Sequence, residues 1–144
     1  MTEILVPVSF GELLDKISIL EIKSGQIRDA SKLTNIRREL DALRHTWSEA
    51  PESKRDIAEK YAALKAVNAR LWVIEDDIRL KECARVFDAE FICFARSVYF
   101  ENDERVRIKR EINVALGSKF IEEKSYEDYR AGEGTESAAP PSAT

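Results

Sequence analysis

The side chains whose types and spacing could do chemistry fall in two stretches of this 144-residue chain. The first is Trp72, Glu75, Asp76, Arg79 and Glu82, which steps of three and four place on one side of a helix. Paired carboxylates on one helix face can hold a divalent ion or carry protons. Glu75 and Arg79, at i and i+4, also make a helix-stabilising pair, and the plainer reading is a solvated face with ion pairs worth about 0–1 kcal/mol each. The second stretch runs from Arg96 to Lys109. Arg96 and Tyr99 share a helix face, and Asn102-Asp103 reads as a cap at a new helix start whose free amides could receive an anion. Arg105, Arg107, Lys109 and Arg110 follow, and guanidinium groups beside a helix start suit phosphate or carboxylate. The plainer reading here makes Asp103 only a cap and pairs the basic residues with Glu101, Glu104 and Glu111.

Other reactive side chains carry less. Cys83 and Cys93 stand ten apart with no adjacent base, and read as reduced, small core residues. His45 lies off its helix seam without partners, so no zinc site of ordinary ligand spacing can be assembled. Trp47 and Trp72 read as core or edge-of-core aromatics, and Phe87, Phe91 and Phe94 as core. No metal and no cofactor is expected.

The elements that must position these residues are helical. Ser9-Phe10-Gly11-Glu12 reads as a capping box, with Val8 and Leu13 as its hydrophobic staple. The helix that follows runs to about Ile27 on a stripe of Leu13, Ile17, Leu20, Ser24 and Ile27. Ile19 and Ile22 fall outside that stripe, which places this helix centrally. Residues 2–8, interrupted by Pro7, read as an extended arm packed on the bundle. A second helix, about 31–49, carries Leu33, Ile36, Leu40, Leu43 and Trp47 in a heptad seam. A third, about 53–84, would be about 48 Å long. A domain of this size is only about 35–40 Å across, so the helix should overhang or pack against a second copy. Asp88 caps a short helix, Asn102-Asp103 a further one to about Leu116, and Gly117 suits the left-handed residue after it. The segment 118–130 reads as docked through its aromatic residues, with a polar lid at Ser125 and Tyr126 as the alternative. Residues 131–144, AGEGTESAAPPSAT, read as a disordered tail.

Bulk composition agrees. Charged residues make up 35% and apolar ones 44%, with only 5 Gly and 4 Pro, which suits helices and disfavours a turn-rich β-sandwich. The net charge of −4 is the wrong sign for a generic nucleic-acid binder, so nucleic acid is an unlikely partner. No apolar run approaches the roughly 20 residues of a membrane span. The amino terminus lacks the basic residue and apolar length of a signal peptide.

In order along the chain, ILVPVSFGELLDKISILEIKSGQI, LTNIRRELDAL, LWVIEDDIR, FDAEFICFARSVYFENDERVRIKREIN and LGSKFIEEKSYEDY resemble a family of small bacterial and phage-encoded proteins known as a domain of unknown function. The resemblance covers about residues 3–129. Members are often met near glycosyltransferase and lipopolysaccharide-type genes, which implies a link to surface-polysaccharide synthesis. The family pattern matches at Asp15-Lys16, Trp72, Asp76, Arg79, Arg96, Tyr99, Asn102-Asp103, Lys109, Asn113 and Glu122 to Tyr126.

The reading is therefore an all-α antiparallel bundle with a long coiled-coil-like hairpin, one domain over residues 1–130 followed by the tail. The protein is expected in the cytoplasm, as a homodimer and with a possible protein partner. Its function reads as a non-catalytic accessory or interaction protein. The alternative is a site for a phosphate or sugar-nucleotide ligand, or an enzyme, built from Trp72, Asp76, Arg79, Arg96, Tyr99, Asn102, Asp103, Arg105 and Lys109.

Overall fold

A computed structural model describes residues 2–130. The expected tail, 131–144, lies outside the described residues. Helix α1 spans Phe10–Gln26, α2 Ala30–Glu49, α3 Ala58–Ala84 and α4 Ala89–Leu116, with a short 3-10 turn at Pro51–Lys54. The described residues contain no strand.

Local chemistry sets the helix ends. Ser9 Oγ accepts from the amide of Glu12 at 3.1 Å, Asp29 from that of Lys32 at 3.0 Å, and Asp88 from that of Phe91 at 3.0 Å. Glu12 does not close the box on Ser9; its carboxylate goes to Lys109 instead. α4 ends on Gly117 at φ 66, where a side chain would be strained, and Ser118 N–H donates to Asn113 O at 2.8 Å. α3 ends on Arg85 at φ 53, a left-handed residue without glycine's freedom.

α1 packs against α2, α3 and α4, so its central placement holds. The core joins Leu13, Leu14, Ile17 and Leu20 of α1 to Ile36 and Leu40 of α2, Leu64, Val67 and Leu71 of α3, and Ile108, Ile112 and Leu116 of α4. Every fully buried apolar residue of α3 lies at or before Leu71, and every one of α4 at or after Ile108. The far half of the α3–α4 hairpin therefore has no deep core of its own.

Several expectations change. α3 begins at Ala58, because Pro51–Lys54 forms a separate turn; its 27 residues span about 40 Å. α4 is continuous over 28 residues, so Asn102 and Asp103 sit mid-helix and offer no free helix start. The arm is not packed: Ile4 and Leu5 are 90% and 88% exposed. Cys83, Cys93 and Phe87 are exposed on the far hairpin rather than in the core, and Phe91 and Phe94 are half-buried.

Candidate functional site

Where α3 and α4 leave the core, a groove of about 490 Å³ opens against α1. Trp72, Asp76 and Arg79 line it from α3, one turn apart in sequence, and Asn102 and Arg105 from α4. Five of the nine residues expected to form a site thus meet in one place. The continuity of α4 is what brings them there: Asn102 and Arg105, at i and i+3, both face α3.

The groove floor is Asn68, only 4% exposed. Its Nδ2 donates to Asp15 Oδ1 and to Ser18 Oγ, each at 2.8 Å. Its Oδ1 accepts from Arg105 at 3.4 Å, and Asn102 Oδ1 accepts from the same guanidinium at 2.7 Å. Neutral amides thus orient Arg105, and among the described residues no carboxylate forms an ion pair with it. A half-buried cation held this way keeps donors that an anion could use. The other arginine behaves differently, since Arg79 is paired with Glu75 on its own helix. Asp76 has no ion-pair partner among the described residues, and its oxygens are open to hydroxyl donors.

The plainer reading of the basic run holds for Arg107, which is bound by Glu104 and Glu111. Those contacts lower the Glu104 carboxyl and raise the guanidinium, as expected of a surface network.

Asn102 and Arg105 also line an adjoining cleft of about 310 Å³ with Tyr99, Asp103 and the segment after α4. Tyr129 of that segment donates its hydroxyl to Asp103 Oδ2 at 2.6 Å, which holds the phenol above its ordinary value. Its ring meets those of Tyr99 and Phe100 at centroid distances of 5.0 Å. Segment 118–130 is therefore docked on α4, but through Tyr129 alone among its aromatic residues: Phe120 is 45% and Tyr126 78% exposed.

Two expected site residues stand elsewhere. Arg96 lies over the Phe100 ring at 5.8 Å and lines neither cavity. Lys109 is buried between α4 and α1, with Glu12 at 2.6 Å, Glu122 at 2.8 Å and Asp15 at 3.9 Å. Burial alone would lower its pKa, but the hydrogen bonds to Glu12 and Glu122 outweigh that and hold it above the ordinary value.

Sequence reasoning missed Asn68. It stands beside Val67 and one turn after Leu64, a polar residue at a core position, and that is the signal that marks it.

The model of a family of unknown function, DUF6165, matches residues 4–139. The chain belongs to this family. No curated protein and no solved structure matches it. The family match spans every residue of both cavities, so groove and adjoining cleft lie within the family's domain.

Proposed function

We propose that this protein binds a small phosphorylated, sugar-bearing ligand in the Trp72–Arg105 groove, as a cytoplasmic accessory protein in surface-polysaccharide synthesis. The observation that carries the reading is Arg105, a half-buried guanidinium aimed by Asn68 and Asn102 and unpaired with any carboxylate among the described residues. A phosphate or carboxylate of the ligand supplies the missing counter-charge. Trp72 offers an aromatic wall on which a sugar ring can lie, and Asp76 an acceptor for its hydroxyls. The gene neighbourhood implied by the resemblance agrees with a ligand of this class.

Thermal unfolding against sugar phosphates, nucleotides and sugar nucleotides tests it. A ligand present at 100 times its dissociation constant stabilises by about 2.7 kcal/mol. For a domain of this size that is a rise of several degrees. The shift should vanish in Arg105→Ala. A panel that shifts nothing, or a shift that Arg105→Ala leaves intact, removes this reading.

A second reading, a homodimeric interaction protein, is favoured by the far hairpin. Leu80 is 69% exposed, Ile92 56% and Phe87 55%, three large apolar side chains that a second copy would cover. Sedimentation at micromolar concentration tests it: a monomer that stays monomeric argues against self-association.

A further inference from the structure

We propose that segment 118–130 builds a second lobe of the site, one that takes a nucleobase, so that the ligand is a nucleoside phosphate lying across Arg105. The inference rests on the anion-site reading above and adds to it the identity of the ligand's other half. Its basis is adjacency. Asn102 and Arg105 line both the groove and the adjoining cleft, so the two cavities meet at the unpaired guanidinium.

The two lobes differ in chemistry. The groove presents a tryptophan with carboxylates beside it. The cleft presents three tyrosines and a lysine: Tyr99, Tyr126, Tyr129 and Lys124. Tyr129 and Tyr99 are already fixed, edge to face at 5.0 Å, and Tyr129 is tied to Asp103. Tyr126 is 78% exposed and touches the Lys124 ammonium at 5.7 Å from its ring centre. An exposed phenol ring at the mouth of a cleft, next to a cation, is a platform for a planar heterocycle bearing a phosphate. Lys124, which also pairs with Glu122 at 3.6 Å, lines the cleft alone, so Arg105 is the cation common to both lobes and would carry the phosphate. Among the described residues nothing donates to the second oxygen of Asp103, which is left to accept from a base N–H or a ribose hydroxyl. A simple sugar phosphate would fill the groove and leave the tyrosine lobe empty.

Isothermal titration of the full chain with AMP, GMP, CMP, UMP and ribose 5-phosphate tests the inference. At least one nucleoside monophosphate should bind about tenfold or more tighter than ribose 5-phosphate, the scale of one stacked base. Tyr126→Ala, at an exposed position that the fold does not need, should erase that advantage and leave ribose 5-phosphate unchanged. Arg105→Ala should weaken both classes. If ribose 5-phosphate binds as tightly as every nucleotide, or Tyr126→Ala leaves the preference intact, the base lobe is wrong while the anion site stands. If none of the five binds, the base lobe falls, and the anion site is decided by the sugar-phosphate and sugar-nucleotide arms of the thermal panel.

Discussion

Lys109 of α4 and Glu12 of α1 are joined at 2.6 Å across 97 residues of chain. The lysine side chain is 7% exposed, and Asp15 and Glu122 stand around it as well. One cation thus ties α1, α4 and the segment after α4 together. Replacing it with a residue of like shape, Lys109→Met, leaves three acids facing each other. Removing one partner of a buried pair costs about 3–5 kcal/mol, and the partial exposure of Glu12 and Glu122 puts this case near the lower end. Urea denaturation should show a clearly lower midpoint; an unchanged midpoint would mean the cluster adds nothing to the fold.

The same cluster sets a pH dependence. The hydrogen bond from Lys109 holds the Glu122 carboxyl below its ordinary 4.5, so its contribution is present above that value and fades as pH falls through the folded-state value. Glu21 acts alike. Burial alone would raise it, but hydrogen bonds from Tyr61 and Lys65 bring it below 4.5. Lys109 is held above its ordinary 10.5, so its contribution is complete below 10.5 and fades as pH rises through its folded-state value. Stability should therefore be flat across neutral pH and fall below about pH 4.5. In Lys109→Met the acid limb should reverse locally, because protonating crowded carboxylates relieves their repulsion. Urea midpoints at pH 3.5, 5 and 7 check both signs.

Two glycines of α1 should respond oppositely to the same substitution. A Cβ on Gly11 would meet Lys109 O at 2.6 Å and Asn113 Oδ1 at 2.9 Å, the second being the acceptor of the Gly11 amide. The contact with Lys109 O is backbone, so α1 and α4 must separate, at about 1–3 kcal/mol. A Cβ on Gly25 meets nothing within 4 Å. Gly25→Ala should stabilise by about 0.5 kcal/mol through helix propensity alone. Thermal melts of the two variants, shifted in the same direction, would contradict the packing described here.

Amide exchange should divide the hairpin in two. Around Leu64, Val67, Ile108 and Ile112, which are at most 2% exposed, protection should approach the global stability. From Leu80 through Ile92 it should be lower, since that half has only half-buried contacts. Uniform protection along α3 and α4 in the purified protein would instead show that a second copy covers the far half.

Much of this was readable in advance where the chemistry is local. Ser9, Asp29 and Asp88 cap helices through their own side chains, and Gly117 ends one because of its own backbone freedom. Asn102-Asp103 shows the limit. As a dipeptide it favours a helix start, but Asn102 is occupied by Arg105 and Asp103 by Tyr129, which lies 26 residues away. Those partners leave the helix free to continue. Convergence of Trp72, Asp76 and Arg79 with Asn102 and Arg105 depends on the α3–α4 register, which helix periodicity alone does not give. Lys109 misleads for a related reason. It belongs to a run of basic residues, and only the approach of Glu12 and Asp15 from α1 makes it interior. The cysteines and phenylalanines of the far hairpin misled by type, since apolar identity does not tell whether a neighbour exists to cover them.

Asn68 gives the groove an immovable floor and leaves it an adjustable rim. Its amide is committed on one side to Asp15 and Ser18 and on the other to Arg105, so the side chain that aims Arg105 also rivets α1 to α3. Trp72, Asp76 and Arg79 stand outside the buried core and can change at little structural risk. Changing Ser18, wholly enclosed, would tilt Asn68 and with it the guanidinium. The direction of the Arg105 guanidinium is thus set partly by a residue two steps removed from it, through Asn68.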